Sequence, residues 1–213
     1  MTKRQAPPGR QESGYRAGLT PGAVARAALG VLADKGADGV SVRGTAERLG
    51  VRMNTVLWHA KTKTRLLELM ADAIVAEVPL DGLPAAWRER VRELLRRYRR
   101  ALLAHRDGAR IVAGTYAAET ATLRFAEALT AALLDGGLSE RDAAWTAWDL
   151  QYFVLGLTQE EQSVPAAGDR RLAEAVRAGD YPSLARLAEH FGDTSFDGRF
   201  EHGLDRLLGP ERA

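Results

Sequence analysis

The chain has 213 residues, of which 46% are hydrophobic and 27% charged. This excludes a large multidomain machine and a disordered or fibrous chain. The absence of cysteine excludes disulfides, thiolate zinc sites and cysteine nucleophiles. Neither a secretion leader nor an apolar run of the roughly 18 residues that a membrane span needs is visible. We therefore expect a folded, cytoplasmic protein with no membrane partner.

The net charge of +2 hides an asymmetry along the chain. Residues 1–65 carry 12 Lys/Arg against 4 Asp/Glu, whereas residues 66–213 carry 18 against 24. A basic head on an acidic body is typical of a protein that binds a polyanion, because phosphate contacts need local positive charge. Charge alone leaves a solvated basic face as the alternative.

The sequence of the first part of the chain predicts a flexible arm followed by four helices. Residues 1–18 are rich in Pro, Gly and basic side chains and are predicted to form a flexible basic arm. Thr20-Pro21 supplies an N-cap and a first helical residue. Capping residues, glycines and apolar spacing predict helices at about 20–36, 41–49, 52–60 and 62–78.

The second half is predicted to be helical as well, with a break near Asp180-Tyr181-Pro182. The predicted helices cover a segment with apolar residues from Val91 to Leu102, and then about 118–135, 140–162, 169–191 and 196–208. Only Ala109–Ala117 is ambiguous between helix and strand. The fold class is therefore all-α.

Residues 41–60 have the organisation of a helix-turn-helix. Small Ala46 lets two helices cross closely, Gly50 permits a sharp turn, and Val56 plugs the junction. The second helix is then free to enter a DNA major groove. Any two tightly packed short helices need similar residues, but the surrounding basic charge favours DNA.

The segment LGVRMNTVLWHAKTKTRLLELMADAIVAEV resembles the DNA-binding head of the TetR family of bacterial transcriptional repressors. The segments HRDGARIVAGTY and YFVLGLTQEEQ resemble the ligand-binding domain of tetracycline repressors. The resemblance implies an N-terminal three-helix helix-turn-helix domain at residues 19–65. It also implies a helical ligand-binding and dimerisation bundle at residues 66–213.

The resemblance implies roles for residues on and around the recognition helix. Asn54 can form paired hydrogen bonds with adenine, and Thr55 can bond a phosphate or touch a thymine methyl. Arg43 can bond a guanine edge or a nearby phosphate. Leu57 stands where relatives carry tyrosine, so a hydroxyl contact is lost. Instead of contacting DNA, Trp58 and His59 could pack the recognition helix against neighbouring helices, which is the alternative role. The implied DNA-binding residues are Arg43, Arg52, Met53, Asn54, Thr55, Leu57, Trp58, His59 and Lys63.

The helix at about 140–162 is apolar most of the way round, with Trp145, Trp148 and Tyr152 on one stripe and Leu150 and Val154 on another. Such a helix must be buried on both sides. We expect a homodimer in which a second copy covers one side together with the C-terminal helix. Burial within a single subunit is the alternative.

The resemblance also implies a ligand site in the body. Its lining positions would be Leu94, Tyr98, Val112, Tyr116, Trp148, Tyr152 and Glu160, although each of them also suits an ordinary core. Val112 stands where tetracycline repressors carry a magnesium-binding histidine, and Leu94 stands where they carry a polar amide. Glu160 without a histidine partner binds magnesium poorly. We therefore expect a mostly apolar or aromatic inducer with no metal and no cofactor, and not magnesium-tetracycline.

The sequence therefore predicts a ligand-responsive repressor that a small molecule releases from a palindromic double-stranded operator. A sensorless regulator or an activator is one alternative. A helical small-molecule-binding protein or enzyme is another. The four histidines lack metal-ligand spacing, and no GxSxG, phosphate loop or GxGxxG motif is present. No catalytic residue is predicted.

Overall fold

The structure is a computed structural model that describes residues 18–115, 118–163, 171–191 and 195–209. Within these ranges the chain forms twelve helices and no strand, which confirms the all-α prediction. The predicted arm lies outside the described residues except for Gly18. No helix in these ranges is long and apolar enough to cross a membrane.

The N-terminal head consists of three helices followed by a longer fourth. Thr20 caps the first helix by accepting the Ala23 amide hydrogen at 3.2 Å. Gly36, predicted as its end, instead kinks it with φ 71°, and the helix continues to Gly39. The four helices are α1 (Pro21–Gly39), α2 (Val42–Leu49), α3 (Met53–His59) and α4 (Lys63–Val75).

Helix α4 joins the head to the body. It begins after Thr62, whose hydroxyl accepts the Arg65 amide hydrogen at 3.0 Å. It ends at Val75 rather than at the predicted Val78, and a turn leads into Pro79, which disfavours helical geometry in the residue before it. Helix α4 is continuous across residues 65 and 66, where the sequence analysis places the boundary between head and body.

The body is a bundle around α5 and α8. The ambiguous segment is helical from Gly108 to Ala113, and the predicted break at Asp180–Pro182 is confirmed. The body helices are α5 (Trp87–Leu103), α6 (Gly108–Ala113), α7 (Thr120–Asp135), α8 (Glu140–Ser163), α9 (Arg171–Ala178), α10 (Pro182–Arg186), α11 (Ala188–Phe191) and α12 (Phe196–Leu208).

Helix α12 is fastened to the bundle by arginines of α5. Arg99, 9% exposed, donates to Glu161 on α8 at 2.8 Å and to Asp197 on α12 at 2.6 Å. Arg96 donates to both carboxylate oxygens of Glu201, at 2.7 and 2.9 Å. Pairs of this bidentate kind fix orientation as well as distance, so α12 has a defined position against α5 and α8.

Helix α8 is apolar on two sides, as predicted, and the subunit buries only one of them. Leu150 and Val154 are fully buried in the core, whereas Trp145 is 64% and Tyr152 59% exposed. Burial within one subunit therefore does not account for the aromatic side. An exposed aromatic stripe of this kind marks a surface that binds a protein partner or a ligand.

Candidate DNA-binding surface and ligand cavity

The turn between α2 and α3 is built by glycine geometry. Gly50 has φ 66° and ψ 27°, a left-handed conformation that other residues adopt only with strain. Its amide hydrogen bonds back to α2, and the Val51 amide donates to the Ala46 carbonyl at 3.1 Å. This closes α2 and sets the direction in which α3 leaves.

Helix α3 has one anchored face and one exposed face. Val56 is fully buried and Leu57 and His59 are half-buried, which fixes the helix on the head. Met53 is 48% and Trp58 82% exposed, and that exposure excludes packing as the role of Trp58. The exposed face comprises Arg52, Met53, Asn54, Thr55 and Trp58.

The cations around α3 are held in different ways. The Arg43 side chain is 83% exposed and donates to Glu47 at 2.9 Å, one turn along α2. Lys63 is exposed at the first residue of α4, where amide groups without helical partners also point outward. Arg48 is tied to Asp34 of α1 at 2.5 Å, which draws it back toward the head.

A cavity of about 660 Å³ lies in the body, within the usual size of a small-molecule site. Its walls come from α4, α5, α6, α7 and α8 and from the residues that follow α6. Tyr98 on α5 stacks on Phe125 of α7 with ring centroids 4.6 Å apart. Trp148 and Tyr152 on α8 stack at 5.6 Å. Both aromatic pairs belong to the cavity wall.

Some of the lining residues expected from the sequence lie at the wall and others do not. Tyr98, Val112, Trp148 and Tyr152 line the cavity. Leu94, which is fully buried in the core one turn before Tyr98, and Glu160, which is exposed, are not among the described lining residues, and their roles stay predictions. Gln159, the neighbour of Glu160, lines the wall, and one residue turns a helix by about 100°. Tyr116 lies outside the described residues.

Sequence reasoning missed the contributions of α4 and α7. Ala71 and Val75 on α4 line the cavity, as do Thr122, Ala126 and Thr130 on α7. The α7 residues recur every four positions, and this repeat of small side chains on one face is the signal that was available. Small residues leave room beside a helix where large ones would close it.

The described part of the wall is electrically neutral. None of the described lining residues is Asp, Glu, Lys, Arg or His, and no group of three potential metal-ligating residues occurs in the described part of the chain. Burial raises the pKa of the Tyr98 phenol well above its ordinary value, so this group stays uncharged. The polar groups of the described wall are threonine and tyrosine hydroxyls and the side-chain amides of Gln151 and Gln159.

The head and the cavity share structural elements. Helix α4 has Lys63 beside the recognition helix and Val75 in the cavity wall, about 18 Å away at 1.5 Å per residue. A second connection joins α1 to the start of α6, where the Ala37 amide donates to Asp107 at 2.8 Å. The kink at Gly36 precedes this contact and turns the end of α1 toward α6.

Two family models match the chain. The model for bacterial regulatory proteins of the tetR family matches residues 24–70, which include the helix-turn-helix. The model for the tetracyclin repressor-like C-terminal domain matches residues 79–209, which include α5 to α12. The second match alone spans more than half of the chain.

Individual relatives agree with these matches. The tetracycline repressor protein class A from transposon 1721 of Escherichia coli is 36% identical over 189 residues, 87% of each chain. Apo ActR from Streptomyces coelicolor has a TM-score of 0.82 at 30% identity, covering 90% of this chain and 94% of that one. ActR was also solved in complex with actinorhodin, with a TM-score of 0.77.

A third relative was solved on DNA. BioQ with its double-stranded operator has a TM-score of 0.66 at 28% identity, covering 89% of this chain and 98% of that one. The exposed recognition helix and the body cavity occur together in one chain that both family models match. The chain belongs to the TetR family and is a ligand-responsive, DNA-binding transcriptional repressor that acts as a dimer.

Proposed function

We propose that this repressor leaves a palindromic operator when a flat, mostly apolar aromatic molecule occupies the cavity of α4 to α8. The observation that carries the proposal is the position of α4. The helix begins at Lys63, beside the recognition helix, and reaches the cavity wall at Ala71 and Val75. An occupant that pushes on this wall therefore acts on the helix that holds the head.

The outer face of α3 reads the operator. Asn54 and Thr55 are exposed at its start and are suited to adenine and to thymine or phosphate. Arg43 reaches a guanine edge or phosphate once it leaves Glu47. Lys63 contacts phosphate together with the first amides of α4. Arg52, Met53, Leu57, Trp58 and His59 complete the surface.

The chemistry of the wall selects the inducer. An uncharged lining with stacked aromatic rings suits a planar molecule, and glutamine and threonine side chains suit its carbonyl or hydroxyl groups. Val112 at the wall offers no metal ligand, and none of the described lining residues is a carboxylate or an imidazole. The residues present therefore do not fit a magnesium-chelated drug.

Release requires that the ligand bind more tightly to one spacing of the two heads than to the other. In a dimer the two recognition helices enter half-sites about 34–36 Å apart. The exposed aromatic side of α8, with Trp145 and Tyr152, is the surface that joins the subunits. A small rotation of α4 in each subunit then changes the distance between the heads.

The proposal also assigns the remaining properties of the chain. Residues 19–65 form the DNA-binding domain, and residues 66–213 form the sensing and dimerisation domain. The relatives are transcription regulators, so no reaction is assigned. The protein works in the cytoplasm, where its operator lies.

Two measurements test the proposal. The operator is selected from random duplexes with the purified dimer, and binding is followed by fluorescence anisotropy. Aromatic polyketides, with actinorhodin as the first probe, and tetracycline with magnesium are then compared by thermal shift. A palindromic site and stabilisation by the polyketides alone support the proposal. Absence of any stabilising compound in a broad aromatic set favours a sensorless regulator.

A further inference from the structure

Helix α7 begins without a cap of its own. Glu119 stands at the N-cap position but makes no side-chain capping bond. The amide of Thr122, one of the first donors of the helix, donates instead to Asp72 Oδ1 at 2.8 Å. The Thr122 hydroxyl lies 3.0 Å from the same oxygen and donates to it. Asp72 lies on α4, so one helix supplies the cap of another.

This contact lies between the cavity wall and the helix that carries the head. Thr122 lines the cavity, and so does Ala71, the neighbour of Asp72 on α4. Further toward the head, Leu66 and Met70 of α4 are fully buried, and α4 packs against α1. A displacement of the first turn of α7 therefore reaches α4 through a charged, two-bond contact.

A second contact supports the same turn of α7. Arg65, two turns before Asp72 on α4, donates to Glu119 and to Glu68. Hydrogen bonding to Glu119 and then to Glu68 raises the pKa of Arg65 above its ordinary value. Glu119 comes directly before α7. The start of α7 is thus tied to α4 at two points, which resists both sliding and rotation.

We propose that Asp72 is a positioning residue that couples the cavity to the DNA-binding head by holding the first turn of α7 on α4. The inference rests on the proposed function for the identity of the signal. The bond geometry of the carboxylate makes α4 follow the α7 wall when the wall moves. Without Asp72, the wall and α4 move separately and each head takes a wider range of orientations.

The distance between the two heads measures this coupling directly. The chain has no cysteine, so Lys61→Cys at an exposed position between α3 and α4 places one spin label on each head of the dimer. Pulsed electron resonance then gives the distribution of head-to-head distances. Circular dichroism and melting temperature, recorded in parallel, report any purely structural loss.

We expect Asp72→Ala to roughly double the width of this distribution while the helical content stays that of the parent. Thr122→Val removes the hydroxyl bond to Asp72 but keeps the backbone bond, so we expect it to give an intermediate width. It is the test variant if Asp72→Ala folds poorly. Glu127→Ala, at an exposed acid on α7, is the matched control and leaves the width unchanged.

A width in Asp72→Ala and Thr122→Val equal to that of Glu127→Ala would overturn the inference. The measurement needs only the folded dimer, with neither operator nor inducer. Failure of the parent protein to bind DNA or any aromatic compound would instead count against the proposed function. The two failures are therefore distinguishable.

Discussion

The head and the body use opposite ways of making a binding site. The head exposes its working residues on the convex face of one short helix, and Trp58 is 82% exposed. The body forms its site as a concave cavity between five helices, and Tyr98 at its wall is 2% exposed. A convex site depends on side-chain identity over a few consecutive positions, whereas a concave site depends on how distant helices pack.

The largest expected effect is on α4, which belongs to both regions. Leu66 is fully buried on this helix, so Leu66→Ala leaves a cavity and lowers the free energy of unfolding by about 2–5 kcal/mol. Leu123→Ala is the control, because Leu123 is 56% exposed and its loss costs at most about 0.5 kcal/mol. Urea unfolding followed by circular dichroism checks both values. Equal losses would mean that α4 is not a shared core element.

Filling the body cavity tests whether an inducer binds there. Ala126→Phe places a ring where the small residues of α7 leave space. We expect the stabilisation by a bound inducer, about 2.7 kcal/mol at a hundredfold excess over Kd, to disappear. Operator affinity without inducer is measured in parallel, because a ring that pushes on the wall as an inducer does would itself lower it. Thermal shift with and without the ligand provides the first measurement, and anisotropy the second.

The convex site is dissected with two substitutions. Asn54→Ala should cost about 1–3 kcal/mol of operator binding and relax the preference at one base pair. Lys63→Ala should weaken binding to all duplexes and lower the salt slope by about 1, because one phosphate contact is lost. Anisotropy titrations at several salt concentrations measure both effects. An identical loss in the two variants, with sequence preference intact, would refute this division of roles.

The success of sequence reasoning differs between the two regions for the same physical reason. Caps and turns are local, so Thr20, Ser41, Gly50 and Thr62 mark the helices of the head correctly. The break before Pro182 is marked in the same way. Local signals of this kind act within one turn of helix and do not depend on the rest of the fold.

The cavity could be anticipated only in part. Its walls unite residues from Ala71 to Gln159, and their relative rotation follows from tertiary packing alone. Gln159 lines the wall and its neighbour Glu160 is not among the described lining residues, since one residue along a helix changes the facing direction by about 100°. The Asp72–Thr122 contact joins residues 50 positions apart, and no local pattern indicates it.

The smallest expected effect is on the ion pairs of α12. A hydrogen bond from Arg96 lowers the pKa of Glu201 below its ordinary value of 4.5. The stabilisation is therefore present above that value and is lost as the pH falls through the lowered pKa. Because the Glu201 side chain is 40% exposed, Glu201→Gln should cost only about 0.5–1 kcal/mol at neutral pH. Urea unfolding of both proteins should show this difference shrinking as the pH falls below 4.5.

The central claim is that one chain holds DNA with its head and releases it when an aromatic molecule enters its body. An anisotropy titration of the selected operator, with and without a compound that stabilises the dimer, tests it most directly. We expect operator affinity to fall by at least about tenfold, a coupling of about 1.4 kcal/mol, and Ala126→Phe to abolish the fall. Unchanged operator affinity with the cavity saturated would contradict the account.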